Sequence, residues 1–200
     1  IFIMSDEIYE FINYTGKHSS IAQFESVKNR TIVINGLSKG YAMTGWRLGY
    51  LAAPLEIAKA CDKIQGQFTS ATCSITQRAA IAALSGDMEP TQKMVVAFKN
   101  RKDLVMDLIS HIPGMVCSEP PGAFYVFPEV KSFFGKKTLE GEIIHNADEL
   151  CMYLLNKAHV STVTGSAFGE PDCIRISFAN SIENIKTGFG KIKNALASLS

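Results

Sequence analysis

Residues 35–50 read NGLSKGYAMTGWRLGY, and the placing of two cations in this stretch decides how the chain is read. The run before it, Thr31–Asn35, is rich in β-branched residues and predicts a buried strand. Lys39 follows that strand among small residues and glycines. Arg47 opens the next apolar run, Leu48–Ala53, which Pro54 stops. A parallel crossover needs at least about 10–12 residues, usually with a helix, and residues 40–46 are too few. The third strand is therefore expected to return antiparallel. That would bring Arg47 back to the rim where the second strand ends.

The opening run Ile1–Met4, bounded by Ser5-Asp6, has the apolar character of a buried parallel strand. In open α/β sheets, ligands gather outside the carboxyl ends of parallel strands. If the first two strands are parallel, joined through residues 9–30, Asp6 and Lys39 stand on one rim with Arg47. Gly36, Gly40 and Gly45 would let the backbone approach a bound group closely. An anionic ligand is the natural counterpart, because arginine offers a planar fork for phosphate and a desolvated lysine can titrate. The alternative is that Lys39 and Arg47 are ordinary loop cations and Asp6 a turn residue. A Walker-type nucleotide site fails on spacing, since GLSKG does not fit the P-loop pattern.

Further on, residues 55–65 and 76–85 have helical spacing, with Ser85-Gly86 as a stop. From about residue 88 the pattern changes. Met94, Val95, Phe98, Leu104, Val105 and Leu108 mark a long amphipathic helix ending at Pro113-Gly114. Short strands are expected near 115–118 and 123–127. Asn146 with Glu149 forms a capping-box-like start for a helix through about 158. Cys173–Ala179 alternates as a strand, and Ser181 caps a closing helix striped by Ile182, Ile185, Phe189, Ile192 and Leu196. The expectation is an α/β piece over 1–87, with a mixed, mostly parallel sheet, followed by a smaller α+β domain over 88–200.

Composition narrows the function. The chain has 200 residues, 46% hydrophobic and 20% charged, with a net charge of +1, enough for one or two compact domains. Interspersed charges of near-zero sum give no electrostatic case for nucleic acid or an anionic membrane surface. No apolar run reaches the roughly 18–20 residues of a membrane span. The N-terminus lacks the basic region of a signal peptide, and a chain opening inside a strand is expected to be the back part of something longer. Five scattered cysteines, Cys61, Cys73, Cys117, Cys151 and Cys173, form no C-x-x-C pair and read as reduced core residues. Four dispersed histidines show no ligand spacing, so no metal site is expected. Two glycosylation triplets, at Asn13 and Asn29, stand without other secretory signs.

At the lysine stretch the chain resembles the fold-type I, pyridoxal-phosphate-dependent aminotransferases of class I/II, in their aspartate aminotransferase-like branch. The resemblance extends through SDEIYE (5–10), PPGAFYVFP (120–128) and GSAFGEPDCIRISFA (165–179). It implies a cofactor, pyridoxal 5′-phosphate, bound covalently through its aldehyde to Lys39, whose amine would then move a proton at the substrate Cα. Asp6 would pair with the pyridine nitrogen and Tyr9 would hydrogen-bond the ring's phenolic oxygen. Arg47 would clamp the phosphate with Ser38 as helper, and Arg175 would take the substrate α-carboxylate as a bidentate fork. Alternation in CIRISFA places Arg175 and Ser177 on one face and Ile174, Ile176 and Phe178 on the other. Read from the strand alone, Arg175 is a solvated arginine. Phe124 and Phe168 fit either core or pocket, and Trp46 is expected to pack.

Two departures stand out. Many relatives carry a phosphate-binding Ser or Thr where this chain has Gly36, and often S-N-P where it has SATCS (70–74), which leaves Ser70 a weak candidate. The family's front half, with its glycine-rich phosphate turn and ring-stacking aromatic, is not in this sequence. The resemblance implies transamination from aspartate to 2-oxoglutarate in a longer, cytoplasmic, homodimeric parent, with amino acids and 2-oxo acids as partners. The alternatives are an aromatic, prephenate-type or kynurenine-type aminotransferase, or a non-catalytic cofactor-binding regulatory domain.

Overall fold

A computed structural model describes all residues 1–200. The chain divides into two compact units, Ile1–Val95 and Val96–Ser200. The division falls inside one long helix.

The first unit is built on a three-stranded sheet, β1 (Ile3–Asp6), β2 (Thr31–Gly36) and β3 (Gly49–Ala52), in the order β1-β2-β3. β1 runs parallel to β2, with Asp6 opposite Ile34. β3 runs antiparallel, with Gly49 opposite Gly36. The short connection after Lys39 thus has the consequence its length requires. Asp6 is the last residue of β1 rather than a residue after it. The segment from β1 to β2 is mostly irregular, with a 3₁₀ turn at Ile21–Gln23 and one helical turn, α1 (Glu25–Lys28). Two helices follow, α2 (Leu55–Phe68) and α3 (Ser74–Ser85), and then α4 (Glu89–Ser110), which crosses into the second unit.

The second unit carries an antiparallel sheet of order β4-β6-β5, formed by β4 (Tyr125–Val126), β5 (Val163–Thr164) and β6 (Ile174–Ser177). The strand expected at 115–118 is a single bridge, Val116 to Glu129. Prolines at 120, 121 and 128 leave few residues on either side able to donate to a ladder. The helix begun by Asn146, whose side chain accepts from Glu149 N at 2.9 Å, runs as α5 (Ala147–Tyr153). It widens into a π turn over Leu154–Ala158, and His159 closes it in the left-handed region. The closing helix α6 (Ile182–Ala197) is capped by the Ser181 hydroxyl, which accepts from Asn184 N at 3.1 Å.

The two units differ in what they bury. In the second, Val105 and Ile109 of α4, Leu150 and Leu154, Ile174 and Ile176 of β6, and Phe189 and Ile192 of α6 are all buried. The amphipathic stripes read from the sequence meet there. Lys102, only 3% exposed, pairs with Glu119 and Asp103 and so ties α4 to the loop before β4. The hydrogen bond that Lys102 donates to Glu119 lifts the lysine's pKa despite burial.

In the first unit, the buried hydrophobic side chains are Ile12, Leu37 and Ala80. No residue of α2 is buried, although its spacing is helical, and Phe68 and Ile75 are 83% and 72% exposed. The cysteines also differ from expectation. None is fully buried, none is paired, and Cys73 is exposed.

This asymmetry makes a prediction. Leu150→Ala should destabilise the chain by about 2–5 kcal/mol, as expected for a filled core position. The pair Phe68→Ser and Ile75→Ser should leave its urea midpoint unchanged while reducing dye binding and self-association. Urea denaturation and light scattering of the 200-residue chain check both.

Candidate active site

The mixed sheet gathers the charged residues. Asp6 closes β1, and its neighbour Glu7 continues the ladder by donating its backbone N–H to the Ile34 carbonyl oxygen at 2.8 Å. The Asp6 carboxylate is exposed and accepts from Ile8 N at 3.2 Å, which tightens the turn. Tyr9 sits in this turn, and its carbonyl accepts from Ile12 N at 2.9 Å.

On the adjacent strand, β2 ends at Gly36 and the chain passes through Leu37 and Ser38 to Lys39. Lys39 is half-buried, and its Nζ lies 5.8 Å from the centre of the Tyr9 ring, within cation–π range. Arg47 is exposed and stands just before β3, at the end of the sheet where β2 finishes. Asp6, Tyr9, Lys39 and Arg47 therefore share one sheet edge.

The loop between Lys39 and Arg47 is held by its own backbone. Thr44 Oγ1 donates to the Ser38 carbonyl oxygen at 2.8 Å, and Met43 N donates to the Leu37 carbonyl at 3.1 Å. Arg47 adopts a left-handed backbone, φ 55°, and its Nη1 donates to the Thr44 carbonyl at 2.9 Å. Gly36 is required by space, since a Cβ there would lie 2.8 Å from the Leu48 carbonyl oxygen. Gly40 is required too, because a Cβ would meet the Phe11 ring at 2.5 Å. Both pack the loop against its own chain rather than open it to a ligand, and Gly45 faces open space. Trp46, expected to pack, is exposed, as is Ser70, whose backbone is also left-handed.

Arg175 belongs to the second unit, on β6. The strand alone suggested a solvated arginine, whereas the structure half-buries it. Its guanidinium carbon lies 4.6 Å from the centre of the Tyr125 ring and 4.4 Å from that of Phe168. Phe168 is therefore a wall of the arginine's surroundings and not core. Phe124 instead stacks on Phe98 at 5.2 Å.

One arrangement has no signal in the sequence. Glu7, beside Asp6, is buried and accepts hydrogen bonds from Ser20 Oγ at 2.7 Å and Ser5 Oγ at 3.1 Å. His18 Nε2 lies 2.8 Å from its other oxygen. Three dispersed residues, one of them a histidine with no ligand spacing, are brought together only by the irregular segment after β1. Glu10 adds a second carboxylate, so the ligand atoms of Glu7, Glu10 and His18 lie within 4.8 Å of one another. Glu7 and His18 already hold each other, so no ion is needed to assemble them. Burial raises the Glu7 pKa, but the bonds from Ser20, His18 and Ser5, with the charge of His18, outweigh it and hold the carboxyl below 4.5.

Comparison with known proteins gives a consistent result. A profile of the family described as Aminotransferase class I and II matches residues 1–192. The chain belongs to that family. Among curated aminotransferases, it is 44% identical over 205 residues to the bifunctional aspartate aminotransferase and glutamate/aspartate-prephenate aminotransferase of Petunia hybrida. That match covers 100% of this chain and 42% of the petunia protein. The crystal structure of the aspartate aminotransferase from Rhizobium meliloti matches with a TM-score of 0.95 and 41% identity, over 100% of this chain and 50% of that one. The aromatic aminotransferase from Pyrococcus horikoshii matches with a TM-score of 0.89 and 32% identity, over 98% of this chain and 51% of that one. This aminotransferase chain spans about half the length of the curated relatives it matches.

The Glu7 cluster has a defined pH dependence. Its carboxyl is more acidic in the folded state, so its contribution is complete above the ordinary value of 4.5 and is lost as pH falls through the folded-state value. Glu7→Gln should cost about 1–3 kcal/mol at pH 7, and the difference from the parent should shrink at pH 3. Chemical denaturation at the two pH values checks it. A difference undiminished at pH 3 would assign the loss to packing.

Proposed function

We propose that the full-length protein containing this chain is an aminotransferase that moves an amino group from aspartate, or a similar acidic amino acid, to 2-oxoglutarate. The cofactor in this reading is pyridoxal 5′-phosphate. The observation that carries it is the sheet edge bearing Asp6, Tyr9, Lys39 and Arg47 in a chain of this family.

The chemistry of these side chains fits the cofactor group by group. A carboxylate suits a protonated ring nitrogen, a phenol suits a ring oxygen, an amine suits an aldehyde, and a guanidinium with a hydroxyl suits a phosphate. When bound, the cofactor supplies that aldehyde and a ring that withdraws the electrons released at the substrate Cα. The residues do the rest. Lys39, with its amine free, would take the proton from the substrate Cα. Asp6 would hold the proton on the ring nitrogen, and Tyr9 would donate to the ring oxygen. Arg47 and Ser38 would bind the phosphate, and Arg175 would take the substrate carboxylate.

Two features of the relatives bear on the substrate. The petunia protein is named for aspartate and for prephenate, and the Pyrococcus one for aromatic substrates. A prephenate-type or aromatic donor is therefore the second reading. Homodimerisation of the parent belongs to the proposal as well, as the family resemblance implies.

The decisive measurement is borohydride reduction of the cofactor-loaded parent, followed by peptide mapping. The label is expected on Lys39, and a label elsewhere rejects the reading. Lys39→Ala should lower kcat by about 10²–10⁴-fold or more. A panel of amino donors at fixed 2-oxoglutarate should rank aspartate above aromatic amino acids. The isolated 200 residues should show no turnover, and measurable transamination by them would contradict the expectation that the family's front half is needed to complete the site.

A further inference from the structure

Arg175 lies between two aromatic rings. Lys99, Lys131 and Lys157 each hold a carboxylate, whereas no acidic side chain of the chain pairs with Arg175. Its surroundings are aromatic instead, and the sheet explains how they arise. In the β4–β6 register Tyr125 lies opposite Ser177, so Arg175 is its diagonal neighbour on the same face, within reach of a long side chain. The second ring, Phe168, comes from the 3₁₀ turn Gly165–Phe168 that follows β5.

That turn is rigidly placed. Gly165 N donates to the Cys173 carbonyl at 2.7 Å, and Glu170 N to the Gly165 carbonyl at 3.0 Å. A Cβ on Gly165 would sit 2.1 Å from the Glu170 carbonyl oxygen, so the turn packs backbone to backbone. Gly169, with φ 83°, closes it. Phe127 then meets Phe168 edge-on, with ring centres 6.0 Å apart. Phe168 is 49% exposed, so a ring held this firmly is not held by burial in a core.

We propose that Tyr125 and Phe168 form an aromatic brace that positions the Arg175 guanidinium and leaves its N–H edge open to a carboxylate. The ligand class is an α-carboxylate, present on both the amino acid and the 2-oxo acid. The inference rests on the aminotransferase reading and adds two positioning residues to it. The rings attract the guanidinium through its faces, while a carboxylate needs the in-plane N–H groups. The two contacts therefore do not compete. Orienting the fork beforehand also removes side-chain freedom that binding would otherwise have to remove.

The test uses the full-length, cofactor-loaded protein and succinate, a dicarboxylate with neither amino nor oxo group. Phe168→Leu and Tyr125→Leu should each weaken succinate binding by calorimetry, and raise KM for donor and acceptor alike, by about 3–30-fold. The kcat should be retained. Phe168→Tyr and Tyr125→Phe keep the rings and should bind succinate as the parent does. Leucine variants that bind succinate normally would overturn the brace, as would leucine variants that lower melting temperature and kcat with KM unchanged. Arg175→Leu separates the two levels. If it leaves succinate binding intact, the carboxylate-site reading fails. If it abolishes binding while Phe168→Leu and Tyr125→Leu do not weaken it, only the brace fails.

Discussion

The hydrogen-bonded pairing of β2 on both sides, parallel to β1 and antiparallel to β3, governs the first unit. A parallel neighbour puts two C-terminal strand ends together, and an antiparallel one adds a strand beginning at the same place. An acid, a phenol, an amine and a guanidinium from distant parts of the sequence then arrive at one edge without any helix to carry them. The irregular segment after β1 completes the arrangement. Its shape is fixed by the buried Glu7 carboxylate, which accepts from two serines and holds His18. A charge placed there is tolerated because three hydrogen-bonding groups replace the water it lost.

The second unit follows different physics. Its helices bring apolar stripes onto a small antiparallel sheet, and the core is complete within the chain. Two aromatic residues outside that core, Tyr125 and Phe168, flank one cation. The arginine of this unit thus stands on one face of a strand whose other face is packed. Alternation along β6 makes this possible, with Ile174 and Ile176 buried while Arg175 faces the rings.

Much of this was legible in the sequence because local rules carried it. The return of β3 followed from loop length alone. The stripes of α4 and α6 and the caps at Asn146 and Ser181 are periodic or positional signals, and they sit where the residues place them. Other features depend on partners that no local pattern names. The spacing of α2 predicts a helix correctly but says nothing of what covers it, and no residue of that helix is buried. The strand expected near 115–118 shrank to one bridge because flanking prolines cannot extend a ladder. Residues 5, 7, 18 and 20 form a network only through the irregular path of the chain. Phe168 could be assigned only once Arg175 was seen beside it.

The left-handed backbone at Arg47 has an evolutionary consequence. A residue with a Cβ is held in that region at a cost of roughly 1–2 kcal/mol, which glycine would avoid and asparagine or aspartate would reduce. None of those three carries a positive charge. β-Branched residues are barred more strongly still. Substitution at this position is therefore caught between two demands, a backbone that favours small or amide side chains and a proposed phosphate contact that favours a guanidinium. Drift at residue 47 should be slow, and its slowness would come from local geometry as much as from chemistry.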